Sequence, residues 1–239
     1  MTEFVRVNGT WLQLAFLTLR KDQREIALLA TIDMGPREYF ERIVEHIKKR
    51  EKRGFAILFE DVDGFDRALA KEADAQAAIF QKTKRDALDR LQECGMWYLA
   101  DIVKREEYWV NADNLDTLLA HAREEASKAE GGWNTVLSER RKGYEAIVQN
   151  PKVAAASLRR YPLLPELYDL DHSFTKSRVD DRNVHAVEMI ERHSPKHHVY
   201  ALWGLDHIPG ILRGLKDKGF DNTQTQWMDV MVVDAEPKE

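Results

Sequence analysis

Three continuous apolar runs along this chain each stop at an acid or an imidazole. Ile26-Ala-Leu-Leu-Ala-Thr-Ile32 is followed by Asp33, Phe55-Ala-Ile-Leu-Phe59 by Glu60, Asp61 and Asp63, and Val199-Tyr-Ala-Leu-Trp203 by Gly204, Asp206 and His207. Runs of this length and composition are what strands buried on both faces of a parallel sheet look like. In open α/β sheets the loops leaving the carboxyl ends of such strands form the crevice where ligands bind, so the polar residues closing these runs are well placed for chemistry. Aligning Gly204-Leu-Asp-His207 on Ala30-Thr-Ile-Asp33 superposes two of the runs as a weak internal pseudo-repeat and sets Asp33 opposite His207.

Other patterns surround these runs. Trp11 to Leu19 and Glu25 to Ile32 are β-leaning stretches separated by Arg20-Lys-Asp-Gln-Arg24, which predicts a hairpin at a mixed-sheet edge. From Pro36, apolar Tyr39, Phe40, Ile43, Val44 and Ile47 recur at helical spacing, with cations Lys48, Lys49 and Arg50 in the last turn and Gly54 as the stop. Asp180 to Ile190 reads as an acid-capped helix with Val184, Val187 and Ile190 inward, Lys196 to Gly204 as the third parallel strand, and Gln226 to Val233 as a final strand.

The middle of the chain is different. From about Gly64 to Arg160 it is charged and helix-prone, with Phe65, Leu69, Phe80, Leu88 and Leu91 on one stripe, interrupted by the aromatic patch Gly95 to Val103 and Tyr108 to Asp113 and by breaks at Gly131-Gly132 and at Pro162 and Pro165. The expected fold class is therefore α/β, with a mixed, mostly parallel central sheet flanked by helices and a large helical insertion. Residues 1–62 and 178–239 form the expected core, and 63–177 the inserted subdomain walling one side of the crevice.

Composition narrows the partners. A chain of 239 residues buries a sizeable core without disulfides, and its single cysteine, Cys94, suggests a reducing compartment. The net charge of −5 argues against a nucleic-acid backbone as ligand. No window holds the ~18 apolar residues of a membrane span, and the first residues lack a signal pattern, so the expectation is a cytoplasmic protein without membrane association. The acidic helical middle offers an oligomerisation or docking surface, for instance between copies of this chain.

Asp33, Glu60 and His207 each lie just past a strand, and adjacent strands sit about 5 Å apart, so the three can meet. Two carboxylates and an imidazole suit a divalent metal (manganese, cobalt, zinc or iron) whose bound water attacks a carbonyl; without metal, the cluster can run acid/base chemistry with Glu60 as base. The competing reading is that acids after strands merely cap the next helix. Arg182 could clamp a substrate carboxylate or oxyanion, or pair locally with Asp180 or Asp181, while His197-His198 and the aromatic residues Trp97, Tyr98, Tyr108 and Trp109 carry no assigned role.

Leu202-Trp-Gly-Leu-Asp-His-Ile-Pro-Gly-Ile-Leu212 together with Asp181-Arg-Asn183 resembles the TraB/Tiki family, within the superfamily of erythromycin esterase-like and ChaN-like proteins. The likeness covers roughly residues 25 to 62 and 178 to 220. It implies that Glu60 is the family's strand-closing glutamate, Arg182 its arginine, and Gly204 with His207 the second Gly-x-x-His. The first Gly-x-x-His is here Ala30-Thr-Ile-Asp33, so a hard oxygen donor replaces an imidazole. The family includes metal-dependent proteases and esterases, which implies a hydrolase of a peptide or ester bond with a small-molecule or peptide substrate; a catalytically degenerate binding module of the same fold is the alternative.

Overall fold

The computed structural model describes residues 4–64, 66, 74–163 and 173–233. Its centre is a seven-stranded mixed sheet. The predicted hairpin forms from β2 (Trp11–Lys21) and β3 (Arg24–Thr31), but both strands run further than expected, since Arg20 pairs with Glu25 and Lys21 with Arg24. Only Asp22 and Gln23 are left to turn, and Asp22 adopts φ 54°, as a tight two-residue connection requires.

The hairpin is not a sheet edge. Leu14 of β2 pairs with Val5 of β1 (Val5–Asn8) and also with Met228 of β9 (Asp221–Val232), while Leu17 pairs with Leu28 of β3 and with Thr225 of β9. β9 therefore runs along one side of β2, and β1 and β3 share the other. Neither β1 nor the first five residues of β9 was expected, because β1 is only four residues long and the start of β9 is polar and exposed.

On the far side of β3 lies β8 (Val199–Gly204), followed by β5 (Ala56–Phe59), with both pairings parallel. Val199 to Trp203 are buried along their whole length, as the unbroken apolar run requires. The last strand of the chain's parallel set thus sits between the first two, so all three carboxyl ends share one rim. The register sets Thr31 against Gly204, one residue away from the sequence alignment of the two segments.

Helices flank this sheet. After an extended Pro36, α1 (Arg37–Glu51) buries Tyr39, Phe40, Ile43 and Ile47. It lies on the sheet face carrying Phe16 and Tyr200, with His46 edge-on to Phe16 at 5.8 Å and the Arg50 guanidinium 5.2 Å from the same ring. Trp203, three residues beyond Tyr200, points to the opposite face.

The middle segment is helical in α2 (Asp74–Glu93), α4 (Leu115–Lys128), α5 (Trp133–Gln149) and α6 (Pro151–Arg160), with a short α3 (Leu99–Ile102) between α2 and α4. Phe80, Ala122 and Leu137 make a small separate core, with Tyr144 edge-on to Phe80 at 5.6 Å. Phe65, Leu69 and Pro165 lie outside the described residues. This segment also reaches the sheet: β7 (Val110–Asn111) pairs in parallel with β5, and β6 (Trp97–Tyr98) pairs with β4 (Met34–Gly35) in a small ribbon.

The helix expected from Asp180 starts earlier. α7 (Ser173–His193) places Asp180 and Asp181 inside the helix, so they cap nothing. Its inward face is Arg182, Asn183, Ala186, Val187 and Ile190, whereas Val184 is 59% exposed, contrary to expectation. α7 packs on α8 (Ile208–Asp217), which follows β8 after a 3-10 turn at Leu205–His207. No described helix is long and apolar enough to cross a membrane.

Leu28, in β3 with no exposed surface, tests the core. Leu28→Ala is expected to lose about 2–5 kcal/mol in urea unfolding, from lost burial plus the cavity left behind.

Candidate functional site

The carboxyl ends of β3, β8 and β5 open into a cavity of about 410 Å³, and all four residues singled out in the sequence line it: Asp33, Glu60, Arg182 and His207. Each arrives by a different route. Glu60 continues β5 by one ladder bond, its N–H donating to Leu202 O at 3.1 Å, which fixes its side chain beside the end of β8. Gly204 N–H donates to Glu60 Oε2 at 2.7 Å. A Cβ at position 204 would stand 2.9 Å from that oxygen, so glycine is what lets the carboxylate approach the backbone.

Arg182 is the hub. Nε donates to Asp113 Oδ1 at 2.8 Å, Nη2 to Asp113 Oδ2 at 3.0 Å and to Glu60 Oε1, and Nη1 to His207 Nε2 at 2.9 Å. Arg182 is 9% exposed. Burial by itself would lower its pKa, but the charges of Glu60 and Asp113 and their hydrogen bonds more than offset that and keep the guanidinium charged. Of a guanidinium's five N–H groups, one on Nη1 stays uncommitted among the described residues. The local pairing with Asp180 or Asp181 is not formed.

A guanidinium only donates, so its contact with His207 assigns the imidazole. Nε2 must accept, which puts the ring proton on Nδ1, and Nδ1 lies 2.7 Å from Asn183 Oδ1, an acceptor. Glu60 Oε1 is further from Nε2, at 3.6 Å, and does not compete. His207, 1% exposed, is therefore held as the Nδ1–H tautomer between Asn183 and Arg182. Gly210 permits this arrangement: a Cβ there would lie 2.1 Å from Asn183 Nδ2, so only glycine lets α8 approach α7 here.

Asp33 differs from the other three. Its carboxylate has no hydrogen-bond or ion-pair partner among the described residues, and it is exposed to the cavity while protein surrounds it elsewhere. Removal from bulk water, then repulsion by Glu60 and Asp206, pushes its pKa up to about 7, opposed in part by Lys84 and Arg182. Water entering the cavity would solvate the charged form and moderate this rise.

The expected metal set does not fit this geometry. Glu60 spends its oxygens on Arg182 and the Gly204 N–H, and His207 spends Nε2 on Arg182, so an ion at Asp33, Glu60 and His207 would have to displace the guanidinium. Among the described residues, no group of three His, Cys, Asp or Glu side chains could hold a metal ion.

Two site residues escaped the sequence reading. Asp113 lies two residues beyond β7, and a two-residue strand leaves no apolar run to flag it. Asn183 had a signal, since it lies four residues before buried Val187 on the helix's inward face. Asp61 accepts from Arg105 and Asn111, and Asp63 from Lys84 and Tyr98. A second cavity of about 210 Å³ borders that cluster, but Lys84 there is bonded to both Asp63 and Asp66, so its charges already compensate one another. His197 and His198 are exposed, and Tyr108 is 70% exposed.

Comparison of the chain with models of known protein families, with curated proteins and with solved structures gives no match.

Asp113→Ala leaves a buried guanidinium short of a carboxylate, and is expected to destabilise the protein by about 3–5 kcal/mol in denaturant unfolding. Asp33→Asn should act in the opposite sense and only at high pH. A carboxyl whose folded pKa is raised holds its proton more tightly folded than unfolded, so it costs stability as pH climbs from about 4 towards 7. The variant should melt above the wild type at pH 8 and level with it at pH 4.

Proposed function

We propose that this protein is a hydrolase that cleaves a peptide or ester bond of a small-molecule or peptide substrate with water activated in the cavity at the ends of β3, β8 and β5. The observation that carries this reading is convergence: residues 33, 60, 182 and 207, far apart in sequence, line one cavity at the rim where α/β folds place their ligands. The likeness of Glu60, Arg182, Gly204 and His207 to the TraB/Tiki motif points the same way.

In this reading the roles differ from those expected of the residues one by one. Asp33 is the general base: it is unengaged, faces the cavity, and has a pKa near neutrality, where a carboxylate is both deprotonated and basic enough to take a proton from water. The uncommitted Nη1–H of Arg182 is the donor for the developing oxyanion. Glu60, Asp113 and His207 hold that guanidinium in place, and Asn183 holds His207. Chemistry runs without a resident metal, because the imidazole lone pair that would bind one is committed to Arg182.

A specific observation favours a second reading. Glu60 and His207 are both locked by partners, so if Asp33 does not activate water, the site is a degenerate binding module. Asp33→Asn separates the two. The hydrolase reading expects a loss of at least ~100-fold in kcat/KM on a panel of esters and peptides, with retained folding. It also expects wild-type kcat/KM to rise with pH and level off above about 7 as Asp33 loses its proton, and to survive a chelator unchanged. No turnover of any panel member by the wild type, or full activity in Asp33→Asn, would defeat it.

A further inference from the structure

We infer that the cavity takes a substrate carrying a positively charged nitrogen on an apolar stem, an alkylammonium group. The inference rests on the cavity being the binding site, but not on its being catalytic. Its first support is charge balance. Asp33, Glu60, Asp113 and Asp206 lie in or behind the cavity wall against one guanidinium, and Arg182 gives four of its five N–H groups to Asp113, Glu60 and His207. His207 adds no charge in the tautomer that Arg182 imposes. Lys84 is near enough to act on Asp33, but its ammonium is bonded to Asp63 and Asp66. Asp33 and Asp206 are left without a hydrogen-bond or ion-pair partner among the described residues. A substrate anion would meet an acidic wall with a single donor to receive it.

The second support is the rest of the lining. Ile32, Met34, Leu158, Tyr161 and Pro162 share the cavity lining with the acids and give it apolar surface with one aromatic ring. Tyr161 faces the acids: burial, then the negative charges of Asp206 and Asp33, push its pKa up to about 12. An inorganic divalent ion needs oxygen or nitrogen ligands around it, which these apolar side chains cannot supply. An organic cation needs one acidic side, and it gains from an aromatic face and apolar contact on the other. Volume agrees, since about 410 Å³ lies in the range of small-molecule sites.

Calorimetry at pH 8 with hexylammonium, hexanol and hexanoate tests this on the whole chain. Hexylammonium should bind about tenfold more tightly than hexanol, with hexanoate weakest. Asp206→Asn, checked for native circular dichroism, should remove most of that advantage while leaving hexanol binding as it was. Equal affinity for the ammonium and the alcohol, preference for hexanoate, or no binding of hexylammonium at millimolar concentration would overturn the inference. So would displacement of hexylammonium by equimolar manganese chloride, which would point to an inorganic ion. Failure of the ester and peptide panel with the ammonium preference intact would sink only the hydrolase reading.

Discussion

The buried charge of Arg182 is the constraint around which this end of the molecule is built. A guanidinium cannot be left alone in a protein interior, since the solvation it gives up must be replaced by carboxylates and acceptors held at the right distances. Here Glu60 follows β5, Asp113 follows β7 and His207 follows β8, so one side chain on α7 ties three strand ends together. The seam between α7 and α8 is shaped to the same end, because Gly210 yields the space that Asn183 needs to reach His207.

That network decides what the cavity can do. Considered residue by residue, Glu60, His207 and Asp33 are metal ligands or acid/base groups. Once Arg182 is in place, Glu60 and the Nε2 of His207 are engaged by it, and Asp33 is left as the carboxylate without a hydrogen-bond or ion-pair partner among the described residues. The same commitment leaves the cavity acidic, which bears on what can enter it.

Much of the fold could be read in advance because its strands are buried on both faces. Continuous apolar runs at residues 26–32, 55–59 and 199–203 announced the parallel strands, and their abrupt polar ends marked the rim. Helical spacing located α1 to within a residue of its start. Where burial is one-sided or brief the signal failed. The exposed half of β9, four-residue β1 and two-residue β7 carry too little apolar pattern to stand out. In α7, reading Asp180 and Asp181 as a cap misplaced the helix start and turned exposed Val184 inward.

The sequence by itself determined which residue types stand at the ends of the strands, because local hydrophobic pattern dictates where a strand stops and which side chains come next. Which of those residues remain available was decided only by tertiary structure. The strand order that inserts β8 between β3 and β5, and the arrival of Asp113 and Arg182 from distant segments, set who pairs with whom. Hydrogen-bonding capacity is finite, and its allocation depends on distances in space that no spacing along the chain encodes.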